Sequence, residues 1–320
     1  MVYIPLVSTL APAADSAAAS GNSAVLFARS TMAAISGLLV QSGLPQLNYP
    51  TSLTQGIVPK NIHSHNDYTR PVPLLDALAV GAKSVEADIH LVDGKLLVGH
   101  KSVSLTSSRT LEELYLDPIL EIIKLQNPAS PFASGSETAA LTNGVFDYDP
   151  EQSLQLLLDY KTDPSALHPA VIDALAQFRA LNLLTTFNST SGTLTTRPLT
   201  ITCTGNCDLA LVSSQTPLRD IFLDAPLEDI ANPAYTTAVT LMASTSFKHM
   251  FGWLDSFDVD ADKAQVIAEL VHAAREKGIK TRFWETPSWP AFVRDDVWRG
   301  LLKAGVDWLN VDDLRGAASL

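Results

Sequence analysis

A chain of 320 residues with 46% hydrophobic and 18% charged residues carries enough apolar material for one large domain or two ordinary ones, which excludes disorder of the whole. The net charge of −12 excludes non-specific binding to nucleic acid or to an anionic membrane surface. It leaves a small phosphorylated substrate open, because a bound metal reverses the field inside a single cleft.

Residues 1–50 read as a leader, disordered or targeting: Ala, Ser and Gly dominate and acidic residues are nearly absent. Arg29 precedes an apolar run of about ten residues, too short to span a bilayer. With the glycosylation sequon Asn188-Ser189-Thr190, this keeps secretion or organelle import open without fixing a compartment. Regular patterning fills 51–320. The pattern predicts a strand over 58–65, then a helix over 73–80 stopped by Gly81. A second strand over 83–91 places Glu86, Asp88 and His90 on one face. The Asp93-Gly94 turn sends an extended segment back over 95–100.

A helix over 110–125 and a long polar loop over 127–144 follow. The segment 154–161 (LQLLLDYK) is apolar up to Asp159, the mark of a strand buried on both faces of a parallel sheet. An amphipathic helix over 168–181 precedes strands over 199–203, 219–223 and 237–243. A helix over 261–277 ends at Gly278, a strand runs over 279–285, a helix over 290–304 ends at Gly305, and a last strand covers 306–311. About eight apolar strands alternating with helices in about 260 residues predict a single α/β domain, a (β/α)₈ TIM barrel. No Gly-rich phosphate loop follows the first strand, which argues against a dinucleotide-binding or P-loop fold. The two cysteines, Cys203 and Cys207, are too few for a disulfide framework; free thiols are the first reading and a local disulfide the second.

A barrel builds its active site at the C-terminal ends of its strands, and the polar residues fall there. His65 and Asn66 close the first strand, Glu86 and Asp88 the second, and Asp159 and Lys161 the third. His100 follows the hairpin, Arg282 and Trp284 share a face of the seventh strand, and Asn310 and Asp312 end the eighth. Carboxylates facing one interior repel each other unless a divalent cation joins them. Oxygen ligands without a thiolate suit Mg²⁺, or Ca²⁺, better than Zn²⁺. Two histidines flanking such an ion suit paired acid and base work, and a lysine beside it suits an anionic oxygen. Together these parts fit cleavage of a phosphodiester.

Particular motifs carry a resemblance. His65-Asn66-Asp67-Tyr68 resembles the first-strand His-Asn motif of phosphatidylinositol-specific phospholipases C. Glu86-x-Asp88, Asp93-Gly94 and Val98-x-His100 resemble the corresponding region of glycerophosphodiester phosphodiesterases. Asp159-x-Lys161-Thr162 is similar to the third-strand motif of spider-venom-type phospholipases D. Ser64 to Tyr68, Arg109-Thr110-Leu111, residues 219–226 (RDIFLDAP) and residues 305–314 (GVDWLNVDDL) are similar to the fungal altered inheritance of mitochondria protein 6 family. The resemblance covers about residues 55–315 and implies a PLC-like phosphodiesterase-type barrel. It implies His65 and His100 as the acid/base pair, and Glu86, Asp88, Asn66 and Asp159 as ligands of a divalent metal. Lys161 would contact the phosphate, and Trp284 would wall the pocket. The implied substrate is a soluble or lipid phosphodiester, with no nucleic-acid partner and no transmembrane segment. Two positions depart from the phosphodiesterase pattern: the His-Arg-Gly usual at the first strand is absent, with no arginine there, and Lys101 stands where an aspartate is usual.

Simpler readings remain beside these. His63 and His90 are more naturally core or supporting residues than catalysts. Lys161 could be solvated, Trp284 plain packing, and Asp312 and Asp313 helix caps. A barrel without turnover, serving as a binding protein, is one alternative. A hydrolase of another bond, built on His63-x-His65 and a transition metal, is the other.

Overall fold

Strands that are apolar on both faces need cover on both sides, and a parallel sheet wrapped by helices provides it. The computed structural model describes residues 49, 51–128, 141–252 and 257–320, and residues 50–320 form one unit. The leader and most of the loop expected over 127–144 lie outside the described residues.

In chain order, β1 (Lys60–Ser64) leads into α1 (Leu75–Ala79), β2 (Ala82–Val92) and β3 (Lys95–Val98). A π-helical turn (Glu112–Leu116) opens α2 (Asp117–Gln126). Next come β4 (Leu154–Tyr160), α3 (Pro164–Ala174), α4 (Ala176–Ala180), β5 (Thr186–Asn188), β6 (Thr193–Thr195) and β7 (Leu199–Gly205). They are followed by α5 (Leu209–Ser213), β8 (Leu218–Arg219), β9 (Ile221–Pro226), β10 (Thr240–Ser246) and α6 (Phe247–Phe251). The chain ends with α7 (Ala261–Glu276), β11 (Lys280–Trp284), α8 (Ala291–Lys303), β12 (Trp308–Val311) and α9 (Leu314–Ala318).

β1, β2, β4, β7, β9, β10, β11 and β12 pair in parallel, and the β1–β12 and β1–β2 pairings close the ring. The closed eight-stranded barrel expected from the alternation is therefore present. β3 lies antiparallel on β2 through a tight turn in which Asp93 (φ 48°) and Gly94 (φ 77°) both take positive φ, as a type I′ hairpin requires. A small antiparallel sheet of β6, β5 and β8 is an addition that the apolar pattern did not announce, since its strands are only two or three residues long. The helix expected over 168–181 is instead two, α3 and α4, with Leu175 between them.

Side-chain alternation sorts the strand residues into two environments. Leu156, Leu158, Ile201 and Ile221 point outward into the main core beneath the helices. A second core, around Phe283, Ile267, Val297 and Leu301, sits under α7 and α8. Inside the barrel, Leu157, Met242 and Trp308 form a small apolar cluster. These three are the floor on which the polar residues of the C-terminal end stand.

Cys203 and Cys207 are joined in a disulfide. This corrects the free-thiol expectation: the bond links the end of β7 to the loop behind it, where the chain turns back sharply enough to bring the two cysteines together. Among the described residues, no helix is long and apolar enough to cross a membrane.

His168 in α3 is buried, with Nδ1 3.0 Å from the Tyr160 hydroxyl and Nε2 3.1 Å from Gln215 Nε2. Burial lowers its pKa below the usual 6.5. A histidine held neutral in the fold stabilises it above its unfolded-state pKa, and that stability is lost as pH falls. The melting temperature should therefore drop as pH is lowered from about 7 through 6.5 and below. In His168→Gln this acid-side drop should be smaller. Thermal melts of both proteins across that range test it, and identical slopes would contradict it.

Candidate active site

The register of the strands explains which polar groups meet. Asp88 on β2 is directly paired with Asp159 on β4, and Glu86 lies two residues before Asp88 on the same inward face. One oxygen from each of Glu86, Asp88 and Asp159 lies within 4.8 Å of the others. On the other side of β2, β1 pairs His63 with Ser84, and β12 pairs Asn310 with His63.

At the floor of the site, Arg282 joins five strands. Its Nε donates to Ser244 Oγ at 2.9 Å, and Nη2 to Asp224 Oδ2 at 3.0 Å. Nη1 donates to His63 Nε2 at 3.0 Å and to Asn310 Oδ1 at 3.2 Å, and lies 4.0 Å from Glu86 Oε2. Ser244 Oγ also donates to Asp224 Oδ1 at 2.7 Å. Burial raises the pKa of Asp224 against the pull of Arg282.

His63 is fully buried, with Nδ1 2.7 Å from Ser84 Oγ and Nε2 3.3 Å from Glu86 Oε2. Burial first, then the charge of Arg282, lowers its pKa to about 4 despite Glu86. Both ring nitrogens face protein groups, Nδ1 the Ser84 hydroxyl and Nε2 the Arg282 guanidinium and Glu86, so the His63 ring is enclosed by the protein. Burial opposes the charge on Glu86, but His63, Arg282 and His65 outweigh it and hold this carboxyl well below the usual range.

His65 stands at the rim, its side chain 24% exposed. Its Nδ1 lies 2.9 Å from Asp312 Oδ1, and its Nε2 lies 3.9 Å from Glu86 Oε2. Burial disfavours the imidazolium, but the hydrogen bond to Asp312 and the charge of Glu86 outweigh it and raise the pKa above 6.5. Asp312 is thus a partner of His65, while Asp313 is the helix cap, accepting the Gly316 N–H at 3.0 Å.

Asn66 adopts left-handed backbone (φ 48°), which asparagine tolerates better than most residues. This turn aims its N–H at Glu86 Oε2 at 3.2 Å. The Tyr68 hydroxyl is shared between Asn66 Oδ1 at 2.6 Å and Asp88 Oδ2 at 2.9 Å. The loop is held from both sides. Arg70 donates to the carbonyls of His65, Val311 and Asp312, and Arg109 donates to the Tyr68 carbonyl. Buried Asp67 accepts from Ser64 Oγ at 2.6 Å, the Leu74 N–H at 2.6 Å and the Tyr115 hydroxyl at 3.0 Å.

Asp88 Oδ2 gathers three donors: Tyr68, His100 Nδ1 at 2.9 Å and Lys161 Nζ at 3.0 Å. Lys161 also donates to Asp159 Oδ2 at 2.6 Å. Burial works against the Lys161 charge, but the two aspartates outweigh it and raise its pKa. Burial and the neighbouring carboxylates raise the pKa of Asp159 against Lys161. The His100 side chain is more than half exposed and meets the carboxylate cluster at Asp88, whereas His65 approaches it at Glu86. Trp284 stands at the rim, 37% exposed, two residues beyond Arg282. His90 bonds the Gly99 carbonyl at 2.9 Å, pinning the hairpin that carries His100.

The cluster is short of positive charge. Among the described residues, Glu86, Asp88, Asp159 and Asp224 share two permanent cations, Lys161 and Arg282. The buried Asp88 Oδ1 has no hydrogen-bond partner among the described residues, an expensive condition for a carboxylate oxygen. The donor set fits a hard divalent cation held by Glu86, Asp88 and Asp159, with the Asn66 amide oxygen nearby. It does not fit the transition-metal reading of His63-x-His65, because Ser84, Arg282 and Glu86 already surround the His63 ring.

Asp224, Ser244 and Tyr68 belong to this network, yet residue pattern alone did not single out their roles. Their signal was positional: Asp224 and Ser244 lie in barrel strands facing inward, and Tyr68 lies in the turn that follows β1. Gly205, at the end of β7, is a further hidden requirement. It has φ +68°, and a Cβ there would lie 2.1 Å from Asp159 Oδ1. Gly205→Ala should displace the Asp159 carboxylate and destabilise the fold by roughly 1–3 kcal/mol. Denaturant titration alongside a divalent-ion binding isotherm checks this, with weakened binding expected and wild-type behaviour in both contradicting it.

A closed (β/α)₈ barrel with histidines and clustered carboxylates at the C-terminal rim is the arrangement expected of a PLC-like phosphodiesterase-type barrel. The AIM6-like phosphodiesterase domain matches residues 51–224, and the chain belongs to that family. Altered inheritance of mitochondria protein 6 homolog from Arthroderma benhamiae is 38% identical over 282 residues, 85% of this chain and 87% of that protein. Altered inheritance of mitochondria protein 6 from Saccharomyces cerevisiae is 34% identical over 307 residues, 87% of this chain and 75% of that protein. A glycerophosphodiester phosphodiesterase from Parabacteroides distasonis, known by its crystal structure, aligns with a TM-score of 0.44 and 11% identity, over 82% of this chain and 97% of that one.

Proposed function

We propose that the protein is a metal-dependent phosphoric diester hydrolase acting on a phospholipid-derived or glycerophosphodiester-type substrate, with His65 and His100 as the acid/base pair. The observation that carries this reading is the trio Glu86, Asp88 and Asp159, with its unpartnered Asp88 oxygen, approached by His65 at Glu86 and by His100 at Asp88.

Glu86, Asp88, Asp159 and Asn66 would hold the divalent ion, with Mg²⁺ the best match to an all-oxygen set and Ca²⁺ the other. When bound, such an ion supplies charge stabilisation for the phosphoryl oxygens. Lys161 adds a fixed positive charge for a nonbridging oxygen. One imidazole takes the proton from the attacking oxygen, either water or a neighbouring substrate hydroxyl, as the new O–P bond forms. The other gives its proton to the leaving alkoxide as the old P–O bond breaks. Asp312 orients His65, Asp88 orients His100, and Trp284 walls the pocket. Attack by the substrate's own hydroxyl would leave a cyclic phosphate.

The test is turnover of a panel of glycerophosphodiesters, lysophospholipids and phosphoinositides by the purified protein, with Mg²⁺, Ca²⁺, Zn²⁺ or chelator. Turnover that needs Mg²⁺ or Ca²⁺ and is abolished by Glu86→Gln is the expected result. A folded, metal-loaded protein inactive on every diester would overturn the reading in favour of a binding protein.

A further inference from the structure

Beside the rim lies a feature the chemistry above does not use. The segment between β11 and α8 leaves Trp289 80% exposed, and Phe292, at the start of α8, is 69% exposed. Single exposed apolar residues are ordinary, whereas exposed apolar side chains grouped around a groove mark a binding surface. Trp289 and Phe257, together with Pro287 and Pro290, line a cleft of 470 Å³, with Lys248 and Glu285 as its charged members. That volume lies within the range of small-molecule sites.

A second cleft, of 310 Å³, holds His65, Asn310 and Asp312. Residues 285–288 line both, so the apolar cleft adjoins, along this segment, the one that contains the candidate catalytic histidine. A ligand whose phosphate sat at His65 would have any hydrocarbon portion directed along this shared wall.

Resting on the phosphodiesterase reading, we propose that the Phe257–Trp289 cleft is an acyl-chain subsite, so that the preferred diester carries a single hydrocarbon chain, as a lysophospholipid does. Continuity with the His65 cleft favours a chain belonging to the substrate over a protein partner. The net charge of −12 disfavours docking of the same patch on an anionic membrane.

The experiment compares glycerophosphocholine with lysophosphatidylcholines of increasing chain length, each below its critical micelle concentration. Binding is read from tryptophan fluorescence and titration calorimetry, and turnover from kcat/KM. Wild-type affinity should rise with each methylene, by up to about fourfold, until the cleft is filled. Phe257→Ser and Trp289→Ser should flatten that dependence and leave glycerophosphocholine turnover unchanged. Affinity independent of chain length, or a dependence that survives both substitutions, would overturn the subsite. So would variants that lose only binding to zwitterionic vesicles. Chain-dependent binding without turnover of any diester would leave the subsite standing and sink the phosphodiesterase reading instead.

Discussion

Replacing His65 by alanine is expected to lower phosphodiester turnover by about 10²–10⁴-fold, the usual worth of one positioned proton carrier. The fold should tolerate the change. The ring is partly exposed, and its bond to Asp312 is made to a carboxylate that is itself largely solvated. Pairs of this kind contribute about 0–1 kcal/mol, so the melting temperature should stay close to that of the wild type. Asp312→Asn should cost less activity than the alanine at 65, because the amide keeps an acceptor for the ring while removing the charge. Steady-state kinetics beside thermal melts separates chemistry from folding. A His65→Ala enzyme with wild-type kcat/KM would remove this residue from the mechanism.

The second large effect falls on stability. Arg282→Met should destabilise the barrel by about 3–5 kcal/mol, because it leaves Asp224 and Glu86 buried without their cation. It also removes donors used by His63, Ser244 and Asn310, so β1, β10 and β12 lose a common tie. Removing the other half of the conflict should restore part of the loss: Asp224→Asn in the Arg282→Met background should be more stable than Arg282→Met alone. Denaturant titrations of the three proteins give the comparison. A single variant within 1 kcal/mol of the wild type, as an order-of-magnitude bound for a surface-like effect, would show that the guanidinium is not what holds this layer together.

Much of this site was legible before any coordinates. A strand's period of two put Glu86 and Asp88 on one face, and barrel geometry put strand ends on one rim. Those two facts were enough to collect His65, Glu86, Asp88, Asp159 and Lys161, whereas His100 was placed by the hairpin that follows Asp93-Gly94. What period and rim position do not carry is register. That Asp88 stands beside Asp159, and Asn310 beside His63, depends on how neighbouring strands slide past each other. Register also decides that Asp312 meets His65 while its neighbour Asp313 caps α9. Local chemistry hid other features. The RDIFLDAP segment looked like a single signature, yet Arg219 bonds the carbonyls of Val212, Ser213 and Ala238, Asp220 pairs with Arg179, and Asp224 pairs with Arg282. Strands as short as β5, β6 and β8 carry too few residues for alternation to show.

On the proposed reading these carboxylates and imidazoles break a P–O bond, and ³¹P nuclear magnetic resonance observes that bond directly. Wild-type protein with Mg²⁺ and a lysophospholipid or glycerophosphodiester should convert the diester resonance into that of a monoester or a cyclic phosphate. His65→Ala should leave the diester resonance essentially unchanged over the same period. A diester signal that persists with folded, metal-loaded wild-type protein, or that decays equally fast with His65→Ala, would contradict the account.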